Sequence, residues 1–221
     1  MTYRSNRHFD ILNENILFGM KGSSSVPQMR NLYESRRSAY GNGLALLNTV
    51  SHDEDNYADP WEALLRYGVH RTMDGAPMLF SVQELGLSTL FGFDLLERNF
   101  GKFIPYFKTY NSMVPLWNDQ LFHVYAGINA ARQMSPALCS PDRYFLSLLG
   151  GGVHNVIWST AKYESAAASP PFQDVVFAFM NTDRDSDHPA GGAEVTTFDI
   201  DIDSGGGNLF GIEPDRIYNT K

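Results

Sequence analysis

Ser51-His52-Asp53-Glu54-Asp55 gathers a hydroxyl, an imidazole and three carboxylates directly after an apolar run, Leu44-Ala-Leu-Leu-Asn-Thr-Val50. Crowded carboxylates repel, so one of them should hold its proton to higher pH. That is the device by which glycoside-cleaving sites keep an acid beside a base. The plain alternative is that Asp and Glu after a strand only solvate a loop. His52 taken alone is more often a hydrogen-bonding residue than a catalyst.

Such a cluster needs a rigid element to aim it. Residues 44–50 read as a fully buried strand, apolar with little alternation. Asp59-Pro60-Trp61-Glu62 then opens a helix, with Asp59 as N-cap, Pro60 at the first helical position and Glu62 completing a capping box. Leu64, Leu65 and Val69 give that helix an apolar face, and Gly75 is expected to stop it. Pro77-Met-Leu-Phe-Ser-Val82 reads as a second buried strand. Strand, helix, strand with short loops predicts parallel neighbours, whose C-terminal ends are where α/β enzymes assemble their chemistry. Upstream, Phe9-Asp-Ile-Leu12 is a short strand candidate, followed by a helix with Met29, Leu32, Tyr33 and Tyr40 close to one face. A last helix is expected over 118–134, with Leu121, Phe122, Tyr125 and Ile128 inward.

Beyond Pro136 the texture changes. Residues 143–149, 155–163, 174–181 and 194–202 read as four strands between Gly-, Ser-, Ala- and Pro-rich turns, an antiparallel β-domain. The domains expected are therefore 1–136 and 137–221.

Composition narrows the function classes. Apolar residues make up 43% and charged residues 19% of the 221, which is globular and not disordered. A net charge of −8 argues against a nucleic-acid partner. Cys139 is the single thiol, so neither a disulfide framework nor a Cys-based metal site fits within one chain. No apolar run reaches the ~18 residues of a membrane span. The polar start Met1-Thr-Tyr-Arg-Ser-Asn6 reads as no signal peptide, and compartment stays unassigned.

Leu47-Asn-Thr-Val-Ser-His-Asp-Glu54 resembles the motif ending the seventh barrel strand of the α-amylase-family glycoside hydrolases, usually Asn-His-Asp, with Ser51 in place of the Asn. Gly75-Ala-Pro-Met-Leu-Phe-Ser-Val-Gln-Glu-Leu-Gly86 resembles that family's eighth strand, commonly Gly-x-Pro-x-x-x-x-Gly-x-Glu, with Val82 for the usual Gly. Phe9-Asp-Ile-Leu-Asn13 would be the sixth. Pro115-Leu-Trp-Asn-Asp119 and Tyr125-x6-Arg132 match how the family runs its last helices. The resemblance implies an α/β fold: the last three strands of a (β/α)8 barrel with their helices, then an antiparallel β-sandwich. It also implies that five strands lie outside this sequence, since the Gly-x-Arg-x-Asp context of the family's nucleophile and its general-acid Glu do not occur. Asp215-Arg-Ile-Tyr-Asn-Thr-Lys221 reads as a strand that stops short.

By resemblance the substrate class is an α-glucan such as starch, or an oligosaccharide of it. Asp53 would hold sugar hydroxyls and stabilise the oxocarbenium-like transition state, and His52 would bind sugar hydroxyls. Glu84, near the end of the neighbouring strand, is the candidate second carboxylate, with a salt bridge under the site as its alternative. Glu54, Asp55 and Glu14 are weaker candidates, and Tyr57 offers a stacking surface. Trp61, in the first turn of a helix, reads as a packing residue more than a sugar platform. No metal ligand set is assigned. Asp183-Arg-Asp185-Ser-Asp187 and Asp199-Ile-Asp201-Ile-Asp203 alternate as calcium ligands can, but lack the Gly and Glu of an EF-hand loop, and a solvated face explains them more simply. Calcium is thus the one cofactor the family brings into view. Open strand edges and apolar flanks predict a homo-oligomer.

Overall fold

Leu44–Asn48 (β2) is the middle strand of a three-stranded sheet in the order β1-β2-β3, with Ile11–Asn13 (β1) and Ala76–Met78 (β3) on either side. These coordinates are a computed structural model that describes residues 11–13, 25–40, 44–49, 60–80, 83–86, 118–149, 153–165, 174–182, 199–201 and 210. By contacts the chain divides into one unit of Met1–Ser24 with Gln28–Ala130 and another of Ser25–Pro27 with Ala131–Lys221. Both strand pairs of the first sheet are parallel, with Ile11 opposite Leu44 and Leu46 opposite Ala76. Parallel neighbours cannot be joined by a hairpin, and a helix fills each crossover: Val26–Tyr40 (α1) and Pro60–Arg71 (α2).

Three local expectations are corrected here. The strand expected over 77–82 ends at Met78, and a 3-10 turn takes over at Gln83–Leu85. Helix α2 ends at Arg71, where Thr72 turns its hydroxyl back to the Val69 carbonyl at 2.7 Å. Gly75 therefore does not stop the helix. It is required because a Cβ there would lie 2.7 Å from the Ala45 carbonyl oxygen and 2.9 Å from Leu47 Cδ1, so only a hydrogen fits between β3 and β2. Trp61, expected to pack, is 44% exposed.

The loop from α2 to β3 is held by α1. Tyr33 accepts the Asp74 N–H at 2.7 Å, and Arg37 pairs with the Asp74 carboxylate. Met29 and Tyr33 are buried as the apolar face of α1 predicts. Helix α2 is buried on more than its Leu stripe, since Arg66, Tyr67 and His70 are also inside. Arg66 reaches Glu62 one turn back at 3.5 Å and donates to Met29 Sδ at 2.9 Å. His70 has no accessible surface, and neither ring nitrogen has a hydrogen-bond partner among the described residues. Burial, then the nearby Arg66 and Arg71 charges, push its pKa down to about 3, so the ring is neutral.

Asp119–Met134 (α3) begins at an Asn118 cap, whose side-chain oxygen accepts the Gln120 and Leu121 N–H groups at 3.1 and 3.2 Å. Leu121 and Tyr125 join Leu64 and Tyr67 of α2 in one core cluster, with Leu79 and Ile128 packed against it. The Tyr67 and Tyr125 rings lie 5.0 Å apart and tilted by 60°. Phe122, expected inward, is 45% exposed. At 3.6 residues per turn it sits over a quarter turn from the Leu121–Tyr125–Ile128 stripe.

The second unit is antiparallel β-structure with short helical turns. Pro136–Cys139 (α4) leads into Arg143–Phe145 (β4) and Ser147–Leu149 (β5). Val153–Val156 (α5) precedes Ile157–Tyr163 (β6), Val175–Asn181 (β7) and Asp199–Asp201 (β8). One sheet runs β4-β6-β7 and the other pairs β5 with β8. The single strand expected over 143–149 is thus two, which pair with different partners on either side of the buried Leu146. Likewise, the start of the 155–163 strand is helical up to Val156. Of the strand expected over 194–202, Asp199–Asp201 is described and pairs with β5.

Strand β6 is inside on both faces, with Trp158 and Ala161 fully buried and Phe145 meeting the Trp158 ring edge-on at 5.3 Å. Lys162 is buried too, its ammonium donating to the Ser140 carbonyl. Phe210 closes the opposite cluster with Leu146 and Ala161, its ring edge-on to Tyr144 at 6.1 Å. Asp174, just before β7, accepts the Ala137 N–H at 3.2 Å and so caps α4. Among the described residues no helix is long and apolar enough to cross a membrane.

Candidate functional site

Past Asn48, the C-terminal end of β2, Thr49 is buried at 4% exposure. The chain beyond it carries the candidate residues His52, Asp53, Glu54 and Tyr57, which lie outside the described residues, as do Glu14 and Asp55. Glu84 is described. It occupies the middle of the 3-10 turn Gln83–Leu85, half-buried, between two fully buried neighbours.

The turn exists because Gln83 closes on Phe80 twice. The Gln83 N–H donates to the Phe80 carbonyl at 3.0 Å, and the Phe80 N–H donates to Gln83 Oε1 at 3.2 Å. Gly86 follows at φ 76°, a left-handed conformation that favours glycine, and its N–H donates to the Gln83 carbonyl at 3.0 Å. The side-chain amide nitrogen of Gln83 then donates to two hydroxyls, Thr49 Oγ1 and, at 2.9 Å, Tyr125 OH. A single buried amide therefore ties the end of β2, the segment after β3 and helix α3 together. The Asn118 N–H donates to the Leu85 carbonyl at 3.2 Å, fixing the start of α3 to the same turn.

Electrostatics at this junction favour neutral hydroxyls. Burial raises the pKa of Tyr125 far above its usual range; the Gln83 hydrogen bond opposes the rise, while Tyr67 and the Glu84 carboxylate add to it. Glu84 is thus close enough to the Tyr125 hydroxyl for its charge to be felt there. A second polar patch borders the junction: Tyr67 OH donates to Asn129 Oδ1 at 2.7 Å, and Arg71 donates to both while its guanidinium lies 4.7 Å over the Tyr67 ring. Among the described residues no group of three or more His, Cys, Asp or Glu is arranged to hold a metal ion. Of the two Asp runs weighed for calcium, Asp199 and Asp201 lie on β8, while Asp203 and residues 183–187 are outside the described residues.

The buried Thr49–Gln83–Tyr125 network was not anticipated from sequence. Three polar residues far apart in the chain carry no periodicity, and the one available signal was a Gln beside the candidate Glu84. No protein-family model matches this chain, and no curated protein matches its sequence.

Proposed function

We propose that this chain is the glucan-handling part of an α-amylase-like glycoside hydrolase, acting on α-glucans such as starch. Asp53 stabilises the developing oxocarbenium charge and His52 binds sugar hydroxyls, with Glu84, Glu54 and Tyr57 beside them. The observation that carries this reading is the sheet order: β1, β2 and β3 are parallel neighbours in chain order with a helix in each crossover. The motif resemblances fall on those same strands, and the candidate residues follow the C-terminal ends of β2 and β3. The Gln83 bridge to Thr49 supports bringing the two ends together. In this reading the part of the chain up to about 136 is the end of a (β/α)8 barrel and the rest is its β-sandwich. The family's nucleophile and general-acid contexts do not occur in these 221 residues, so turnover by this reading comes either through assembly with chain that carries them or through other carboxylates of this sequence.

Calorimetry with maltoheptaose tests the reading. The chain binds, and His52→Ala weakens binding more than it slows release of reducing sugar from starch. Binding without release leaves a sugar-binding segment that is not itself a catalyst. Absence of binding overturns the glucan assignment and leaves a structural role in assembly.

Self-association belongs to the same proposal, with a second copy as the partner. Helix α3 exposes Phe122, Val124 and Met134, and no Asp, Glu, Lys or Arg lies between Phe122 and Ala131. Exposed apolar side chains along one helix suit a copy of the same helix, whereas a chain of net charge −8 repels its copy elsewhere. Light scattering at micromolar concentration is expected to report a dimer or larger assembly, and Phe122→Glu to shift it toward monomer. A clean wild-type monomer refutes it.

A further inference from the structure

We infer that a notch on the β4-β6-β7 sheet is an exchange site between copies of this chain, in which Phe210 of a second copy replaces the chain's own Phe210. The inference stands within the second unit and does not depend on the glucan reading. One row of residues across the sheet makes the notch: Tyr144 on β4 lies opposite Ala161 on β6, which lies opposite Phe177 on β7. Residues paired across neighbouring strands share a face, so two aromatic side chains flank a single methyl group. Tyr163, two positions on from Ala161 along β6, stands on the same face and closes a third side. Ala161 has no accessible surface and forms the floor.

Phe210 fills this notch. Its ring lies edge-on to Phe177 and Tyr163 at 5.6 Å and to Tyr144 at 6.1 Å, with interplanar angles of 85°, 63° and 67°. Aromatic pairs favour that arrangement, so three rings around one floor select a ring over an aliphatic side chain. Phe210 is 8% exposed, whereas Phe177 at the rim keeps 37%. The described strand before Phe210, β8, is hydrogen-bonded to β5 in the other sheet, and Ile200 on it packs against the Phe210 cluster. Among the described residues, the stretch 199–210 thus holds to the unit through β5 and through this notch. A second copy carries the same residues and reproduces both contacts, so exchanging the stretch between chains loses no interaction. The 17 positions from Thr182 to Asp199 reach at most roughly 55 Å when fully extended, enough to cross to a neighbouring chain.

The test uses the full chain carrying Phe122→Glu, so that association through α3 does not contribute. Unlabelled and isotopically heavy preparations are mixed at micromolar concentration, and native mass spectrometry reads dimers holding one chain of each. Mixed dimers are expected, and Phe210→Leu and Phe177→Ala should each lower their share severalfold. Phe177→Ala trims a rim residue, so it carries the test where Phe210→Leu fails to fold. A second arm isolates recognition: a fluorescent peptide of positions 206–214 is titrated into the Phe210→Ala chain, whose notch lacks its ring. The peptide is expected to bind there. It should bind roughly tenfold more weakly to a chain that keeps Phe210, or to one that adds Phe177→Ala, the scale of losing an aromatic contact. The same peptide with Phe210→Ala is expected not to bind.

A share of mixed dimers that stays the same in Phe210→Leu and Phe177→Ala overturns the exchange, because the association then lies elsewhere. Absence of mixed dimers from the Phe122→Glu chain overturns it as well, even where the peptide binds the emptied notch. Peptide binding that survives loss of the phenylalanine also counts against the inference, since the notch would not then be reading the ring. Mixed dimers that depend on both residues uphold the exchange, whether or not the chain binds glucan.

Discussion

If the chain hydrolyses α-glucans as proposed, Asp53→Asn is expected to lower that activity by roughly two to three decades, the scale of removing one preorganised transition-state contact. The substitution keeps size and hydrogen-bonding reach and removes only the negative charge. A residue that holds sugar hydroxyls and faces a developing oxocarbenium ion loses its main contribution with that charge, while ground-state binding falls much less. Turnover should therefore drop far more than maltoheptaose affinity. Initial rates of reducing-sugar release, taken beside calorimetry on the same preparations, separate the two. Full activity in Asp53→Asn moves the role to another carboxylate, and Glu84 and Glu14 are the next to replace.

The second large effect is on stability in acid. His70 titrates near 6.5 in an unfolded chain, and burial followed by the Arg66 and Arg71 charges takes it down to about 3 when folded. Between those values the unfolded state binds a proton that the folded state refuses, so stability falls as pH falls. The sign is fixed by this depression: the folded form is unaffected above about pH 6.5 and loses stability progressively toward pH 3. The full shift corresponds to about 5 kcal/mol, a large share of a domain's margin. Thermal melts of wild type and His70→Leu from pH 7 to pH 4 check it. The wild-type midpoint should drop more steeply, with the difference between the two curves opening below about pH 6.5. Parallel curves would mean that the ring is solvated in the folded state.

Much of this architecture was legible in sequence where local chemistry and tertiary packing agree. Pro60 opens α2 as expected, and the apolar run at 44–48 is a strand between parallel neighbours. The failures are places where a distant group wins. Met78 ends β3 because Phe80 turns its N–H toward the Gln83 side chain, and nothing in Leu-Phe-Ser-Val announces that bond. Phe122 is as apolar as Leu121, but only one of the two faces α2, and side-chain type alone does not say which. His70 gave no signal because its burial is set by neighbours on a helix whose inward face is wider than its Leu stripe. For the site, the candidate residues after Thr49 were visible as a polar cluster after an apolar run. The amide that braces that strand end was not, because buried hydrogen bonding between separate elements leaves no periodic mark.

The division of 143–149 between two sheets bears on the order of folding. Pairing β6 with β7 joins Tyr163 to Val175 across a short stretch of chain, whereas pairing β5 with β8 joins Leu149 to Asp199 across a much longer one. The entropy of closing a loop grows with its length, and non-local pairings are formed late. The β6–β7 hairpin is therefore the natural nucleus of the second unit, with β4 joining it from the other side. The β5–β8 pair, which closes the longer stretch of chain, should form last and open first. Leu146 is itself bonded to Ser159 of β6, its N–H donating to the Ser159 carbonyl at 3.3 Å and its carbonyl accepting from the Ser159 hydroxyl at 2.9 Å, so β5 can come free while β4 stays bonded to β6. Among the described strands of the second unit, this makes the β5–β8 ribbon the first to become accessible to a protease or to another chain's strand.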